Sequence, residues 1–199
     1  MQPSVFKDTK RTVNQHAVSF HHLWRSLLIL STIAVAYFLT ARAALSVLNL
    51  GIKASPVWPP AGIAFAAVLW QGRWAAIGVA LGAGWANYSM DVPWLLSLGS
   101  ILGSSIQPIV GRMLLKRFKF QPSMERLQDV LGFVGLAVLV APMTNATIGT
   151  LFAYALGHLS WSQVAQNWWT IWLGDGMGIL IFTPSLLALR EWMGCPHDK

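Results

Sequence analysis

Formal charge is scarce in this chain, and none occurs in the 45 residues (130–174) that separate Asp129 from Asp175. A helix needs about 20 apolar residues to cross the hydrocarbon core of a bilayer, so this stretch is twice the required length. Comparable apolar runs fill most of the sequence from Leu27 to Leu189. A soluble protein of this size could not keep so much apolar surface away from water. The sequence therefore predicts an all-α, polytopic helical bundle embedded in a lipid bilayer.

Cysteine is almost absent too, because Cys195 is the only one. A lone cysteine excludes an intramolecular disulfide and provides no framework for a metal site. The chain also lacks a phosphate-binding loop, a nucleophile elbow, a paired-carboxylate dyad and a zinc signature. We therefore expect no enzyme activity, no catalytic residue, no bound metal and no cofactor.

Basic residues outnumber acidic ones by seven, but their placement argues against a nucleic-acid partner. They cluster at the ends of the apolar blocks, as the positive-inside rule requires of a membrane protein. The clusters are the N-terminal tail, Arg73, Lys116–Arg126 and Arg190–Lys199. We predict that all of them lie on the cytoplasmic side with both chain termini, and that Lys53 and Asp91 lie outside.

Six hydrophobic blocks account for the middle of the chain. They run Leu27–Leu50, Val57–Trp70, Trp74–Asn87, Pro93–Leu115, Leu127–Gly157 and Trp161–Trp192. Proline lacks the donor that a helix interior needs, so the fifth block is predicted to break at Ala141-Pro142. The sixth is predicted to break at Gly174-Asp175-Gly176, since glycine permits a non-helical turn. These breaks give about eight helical segments, and the residues leave open whether each broken block crosses once or folds back.

The same pattern divides the chain into a polar, basic tail (1–26), a membrane-embedded region (27–192) and a short C-terminal tail (193–199). A cleaved signal peptide is the competing interpretation of the first block, because Ala41-Arg42-Ala43 resembles a cleavage site. The apolar run continues past that site and further spans follow. An uncleaved first helix is therefore favoured.

Glycine recurs at four-residue spacing, at Gly78 and Gly82 and again at Gly99 and Gly103. This spacing lets two helix backbones approach closely inside a membrane. Packing within the bundle is favoured over a homodimer face, although a homodimer stays possible.

A sharp local motif surrounds Trp58, Pro59, Pro60 and Gly62. Proline is favoured in the first helical turn, because its missing N–H would have no partner there anyway. The following block is short, so its helix is expected to begin inside the bundle, where its positive end could face an anion or a polar ligand. The alternative is a loop at the membrane surface, with Trp58 as an interfacial anchor.

The second motif joins Trp172 to Gly174, Asp175 and Gly176. Asp175 is far from any other charge in the sequence, and an intramembrane acid usually faces the bundle interior and pairs with a cation or with backbone donors. Arg42 is the leading predicted partner and Arg112 the second. The competing interpretation is a buried ion pair that only fixes the order of the helices.

Several motifs in one order resemble the bacterial membrane-associated sensor domain of the first type, the MASE family. They are Ala41-Arg42, Pro56–Ala64 (PVWPPAGIA), Arg126–Val130 (RLQDV), Trp172–Leu180 (WLGDGMGIL) and Thr183-Pro184. The family's motif positions fall on Arg42, Trp58, Pro59, Pro60, Gly62, Asp129, Gly174, Asp175 and Gly176. The resemblance covers roughly residues 27–192 and implies eight helical segments with cytoplasmic ends in a bacterial inner membrane.

Such domains are input modules, typically joined to histidine kinase, diguanylate cyclase or PAS domains. The resemblance thus implies a sensor for an unidentified small ligand or membrane signal, and an output partner in the cytoplasm. The chain stops at Lys199, where an output domain would normally begin. The alternative is a substrate-binding component of a transporter, like the vitamin-capture subunits. The sensor function predicts a ligand pocket between the Trp58-Pro59-Pro60 helix start and the Trp172–Asp175 break. The transporter alternative would also hold a ligand among short and broken helices.

Overall fold

The structure, a computed structural model, describes residues 5–48 and 57–193, and every regular element within these ranges is helical. The elements are α1 (Val5–Leu48), α2 (Pro59–Gln71), α3 (Ala75–Tyr88), α4 (Trp94–Arg117), α5 (Leu127–Gly132), a π-helical segment (Phe133–Val140), α6 (Ala141–Ala155) and α7 (Trp161–Trp192). The predicted all-α class is confirmed. Lys53 and Cys195 lie outside the described residues.

Four of these helical stretches are long and apolar enough to cross a membrane. They are Trp24–Ser46 in α1, all of α4, the continuous run Leu127–Ala155 and all of α7. Helices α2 and α3 have only 13 and 14 residues, so each rises about 20 Å against a hydrocarbon core of about 30 Å. They are joined by a tight turn in which Gly72 has a φ of +84°, a conformation that glycine adopts without steric penalty. The short pair is therefore packed among four longer helices.

The predicted break at Gly174-Asp175-Gly176 is wrong, because α7 is one uninterrupted helix of 32 residues. Its glycines serve helix packing and not a turn. A methyl group at Gly178 would clash with the carbonyl oxygen of Trp58, and one at Gly62 would clash with the carbonyl oxygen of Gly178. The Thr183 hydroxyl also donates to Gly62 O at 3.0 Å. Small residues thus bring the backbones of α2 and α7 into direct contact.

The predicted break at Ala141-Pro142 is also wrong. The helix continues from α5 to α6 through the π-helical segment, which ends just before Pro142. A wider π turn changes the hydrogen-bond register, and it accommodates a residue that has no N–H to donate. The carbonyl of Leu139 within this segment accepts a hydrogen bond from Trp172 Nε1 at 2.8 Å. The described residues therefore form six continuous helices, and the predicted eight segments are not confirmed.

The four-residue glycine pairs pack inside the bundle, as predicted. Methyl groups at Gly78 and Gly82 of α3 would lie 2.8 Å from Leu30 O and 2.7 Å from Ala34 O of α1. Gly99 and Gly103 of α4 make equally close approaches to Phe152 and Asn145 of α6. Both pairs are therefore used within one chain, and a homodimer stays an untested prediction.

The basic side chains near the α2–α3 turn lie together at one end of the bundle. Arg112 Nη1 donates to Val68 O at 2.8 Å, in the last turn of α2. The Arg190 guanidinium lies 5.5 Å from the ring centre of Trp70, and Arg73 occupies the turn itself. Exposed aromatic residues mark both ends: Trp74 and Trp192 at the basic end, and Tyr88, Trp94 and Trp161 at the other. Such aromatic belts are typical of the two membrane interfaces.

The contact between α7 and α2 predicts that Gly178→Ala destabilises the protein. The added methyl group meets a backbone carbonyl, which cannot rotate away, so we expect a loss of about 1–3 kcal/mol. Thermal unfolding of the detergent-solubilised protein measures it. The matched control is Gly135→Ala, which adds a methyl group in open space and should keep or raise the midpoint temperature (Tm). Equal midpoints for both variants would show that this close contact is unimportant.

The orientation predicted from the basic clusters can be tested with single cysteines in a Cys195→Ser background. Asp91 and Arg73 are both exposed and lie at opposite ends of α3. An impermeant thiol reagent added to intact cells should label Asp91→Cys and spare Arg73→Cys, and permeabilised cells should show labelling of both. Labelling of position 73 alone in intact cells would invert the orientation.

Candidate functional site

A cavity of about 480 Å³ opens between α1, α4, α6, α7 and the residue before α2. Its lining residues are Tyr37, Trp58, Val92, Leu96, Ser100, Ser104, Asn145, Gly149, Ala153, Asn167, Thr170, Ile171, Gly174 and Asp175. This volume is within the range of small-molecule pockets, and the mixture of apolar walls with a few convergent polar groups is typical of them. The cavity lies where the sequence predicted a ligand pocket. Trp58, Gly174 and Asp175 line it, whereas Trp172, Pro59, Pro60, Gly62 and Gly176 do not.

Trp58 is held in the cavity wall by its own backbone. Its N–H donates to Gly174 O on α7 at 2.9 Å, and its carbonyl accepts from Ala61 N at 3.1 Å. The half-buried ring packs against two hydrophobic clusters of the core, one that contains Tyr37 and Val79 and one that contains Phe65 and Phe133. Trp58 is thus part of the bundle interior, and the alternative of an interfacial anchor does not hold.

The start of α2 offers little to an anion. Pro59 and Pro60 occupy its first two positions and have no N–H, and the next amide, that of Ala61, is already bonded to Trp58 O. A helix N-terminus attracts anions mainly through N–H groups without partners. The two prolines remove those donors, so the predicted anion-facing helix end is not supported.

Asp175 is almost completely buried, with 2% of its surface exposed. Asn145 Nδ2 on α6 donates to its Oδ2 at 2.7 Å. The side-chain amide of Gln107 on α4 is buried close to the same carboxyl group, and its Nε2 has no hydrogen-bond partner among the described residues. One amide hydrogen bond, from α6, therefore holds an acid that lies deep in the bundle.

Neither predicted arginine partner reaches Asp175. Arg42 is exposed, and its Nη1 donates to Ser89 O at 3.3 Å at the end of α3. Arg112 donates to Val68 O near the end of α2. Cations are stabilised at helix C-termini by the unpaired carbonyls and the helix dipole. Within the described part of the chain the predicted ion pair is therefore absent, because each arginine binds a helix end instead.

Tyr37 of α1 completes the polar wall beside Asp175, and sequence analysis missed it. Its side chain is 3% exposed, and its hydroxyl donates to Ser104 Oγ on α4 at 3.2 Å. The indole of Trp58 and the carboxyl of Asp175 are also close enough to interact with this hydroxyl. The available signal was a polar side chain inside an otherwise apolar block, which must find a partner within the bundle.

Trp172 supports the site from outside the cavity. Besides the bond to Leu139 O, its ring stacks on Trp168 with the centroids 6.1 Å apart. Trp168 Nε1 in turn donates to Thr147 Oγ1 at 3.1 Å. These bonds attach α7 to α6 and to the π-helical segment, on the turns that position Asp175.

Residues 24–199 match the family model for MASE1. The chain belongs to the MASE1 family. MASE1 domains are membrane-embedded sensory input domains, and with four apolar helices of membrane-spanning length the chain is a multi-pass membrane protein. No curated protein and no solved structure matched the chain.

The motif positions of this MASE1 domain lie in several parts of the bundle. Trp58, Gly174 and Asp175 line the cavity, and Gly62 lies at the close contact between α2 and α7. Asp129 lies elsewhere: it is 1% exposed, and its Oδ1 accepts from Gln121 N at 3.0 Å, which fastens the α4–α5 loop to the start of α5. Arg42 lies at another position in the bundle, where its side chain binds the end of α3.

The bond between Asn145 and Asp175 predicts that Asn145→Ala destabilises the MASE1 domain. The substitution leaves a buried carboxyl oxygen without its donor, which costs about 1–3 kcal/mol or more for an ionised group. The matched control is Asn167→Ala, which removes a bond of 3.0 Å between two neutral groups, Asn167 and Thr150. We expect a larger fall in Tm for Asn145→Ala, and equal falls would contradict the assigned role of the Asn145–Asp175 bond.

Proposed function

We propose that this domain is a sensor whose cavity binds a small molecule and whose helix α7 conveys the binding event to an output module. One observation supports this proposal above others: α7 contributes Ile171, Gly174 and Asp175 to the cavity wall and then continues unbroken to Trp192. Trp192 lies 17 residues after Asp175, a rise of about 26 Å along the helix. A displacement at the cavity therefore reaches the basic end of the bundle without crossing a loop.

We propose that the contact between α2 and α7 is the part of the bundle that changes when a ligand binds. The Trp58 N–H bond to Gly174 O and the Thr183 bond to Gly62 O fix the two helices in one register. A ligand between Trp58 and Asp175 contacts both helices. It can signal only if it binds two arrangements of the helices with different affinity, and a tenfold difference corresponds to about 1.4 kcal/mol.

The π-helical segment is a second element that could change. Residues Phe133–Val140 pack against α7, and Trp172 bonds directly to the carbonyl of Leu139. Short π segments frequently occur at functional sites and hold one extra residue per turn. We propose that a shift of α7 is accompanied by a change of register in this segment.

The proposed output is a cytoplasmic histidine kinase or diguanylate cyclase, in the same chain or in a partner protein. This places the domain in the bacterial inner membrane with both termini in the cytoplasm, in agreement with the grouping of Arg73, Arg112 and Arg190 at one end of the bundle. The domain itself is proposed to have no catalytic activity. No observation favours the alternative of a transporter component.

Fusing residues 1–199 to a cyclase or kinase reporter tests the proposal in cells. We expect Trp58→Ala and Asp175→Asn to change reporter output by several-fold while membrane insertion stays normal, because both side chains line the cavity. Matched controls are Trp94→Ala and Asp91→Asn, which alter exposed residues that do not line the cavity. Unchanged output in cavity variants that insert normally would refute the sensor mechanism. Substrate uptake by the chain with an energising partner would favour the transporter alternative.

A further inference from the structure

The described wall of the cavity contains an acidic side chain and no basic one. Among its described lining residues Asp175 alone has a formal charge, and none is Lys, Arg or His. The two arginines that the sequence predicted as partners of Asp175 form hydrogen bonds elsewhere. Arg42 donates to Ser89 O, and Arg112 donates to Val68 O. A buried carboxylate without a cation is costly in a low-dielectric interior, since the protein must replace water as its counter-charge.

We infer that the ligand of this cavity is a small organic cation, a protonated amine whose ammonium group contacts Asp175. The inference rests on the proposed sensor function and names the ligand class of the same site. The amide donor of Asn145 holds the carboxyl group but supplies no positive charge. The ammonium group supplies the charge that the bundle leaves out.

The polar wall suits the donors of an ammonium group. A primary ammonium has three N–H donors, and an ionised carboxylate has about four acceptor sites, of which Asn145 uses one. The hydroxyls of Tyr37, Ser100, Ser104 and Thr170 line the same cavity and can accept the remaining donors. The aromatic side chains of Trp58 and Tyr37 line the same cavity as Asp175, and aromatic rings attract desolvated cations.

The apolar wall and the volume limit the rest of the molecule. Val92, Leu96, Ala153 and Ile171 give the cavity a hydrophobic side. A volume of about 480 Å³ is within the range of small-molecule pockets. The inferred ligand is thus an amine with a compact apolar or aromatic body. Carboxylates and phosphate esters are disfavoured, because Pro59 and Pro60 remove two N–H donors at the start of α2 and no described lining residue is a cation.

Ligands that share one body and differ in their polar group show whether charge or shape determines binding. The probes are butylamine and phenethylamine, each compared with the alcohol and the carboxylate of the same body, titrated into purified full chain in lipid nanodiscs while Tm is measured. We expect at least one amine to raise Tm at concentrations at least tenfold below its matched alcohol, and the carboxylates to have no effect. The inference fails if no amine raises Tm, or if the alcohols act as strongly as the amines.

Two pairs of variants locate the effect. Asp175→Asn should weaken the response to the amine at least tenfold, and the control Asp91→Asn should not, since Asp91 is exposed in a left-handed conformation that asparagine also adopts. Ser100→Leu fills the cavity and should abolish the response, whereas Ser105→Leu, on the same helix but not in the cavity wall, should retain it. A full amine response in Asp175→Asn or in Ser100→Leu overturns the inference. If Asp175→Asn fails to fold, the Ser100 pair and the ligand series decide.

The reporter fusion distinguishes this inference from the proposed function. If cavity variants alter reporter output but no amine binds, the sensor mechanism stands and the ligand class is wrong. If the amine binds at Asp175 and no cavity variant alters output, the binding site stands and the sensor mechanism is wrong.

Discussion

The direct backbone contact between α2 and α7 is the constraint on which the rest of this structure depends. Gly62 and Gly178 allow the two helices to approach until carbonyl groups fill the space where side chains would be. Only at that distance can Trp58 N–H reach Gly174 O and Thr183 reach Gly62 O. In a bilayer, lipid removes most of the hydrophobic drive between helices, so close packing and hydrogen bonds must replace it. The position of Trp58 in the cavity wall follows from this contact.

The opposite wall depends on a second close approach of the same kind. Gly103 on α4 leaves room for the side chain of Asn145 on α6, and Asn145 then donates to Asp175 on α7. Three helices are thus joined through one amide and one carboxyl group. Because the same three helices line the cavity, the bond that stabilises the bundle is also part of the candidate site. Stability and the proposed ligand recognition are therefore linked at Asp175.

Sequence analysis could predict what depends on composition and order. The scarcity of charge predicted the helical membrane bundle, and the order of the motifs from Arg42 to Pro184 identified the family. It could not predict the continuity of the helices, because Gly176 and Pro142 break helices in water but are tolerated where a neighbouring helix or a π segment satisfies the backbone. It also assigned both arginines wrongly. Charge alone cannot show that the carbonyls at a helix end will compete with a distant acid for the same guanidinium.

The missing ion pair is consistent with the proposed function. A buried arginine–aspartate pair costs about 3–5 kcal/mol to break by loss of one partner, so it would fix α7 against its neighbour. One amide hydrogen bond, from Asn145, holds the Asp175 carboxyl group, and when that group is ionised no cation among the described residues that line the cavity compensates its charge. A diffusing cation can then compensate that charge, and its binding energy becomes available to favour one helix arrangement over another. An acid that only fixes the order of the helices would have its counter-cation within the protein. An acid that recognises a cationic ligand instead leaves the position of that counter-cation open to the ligand.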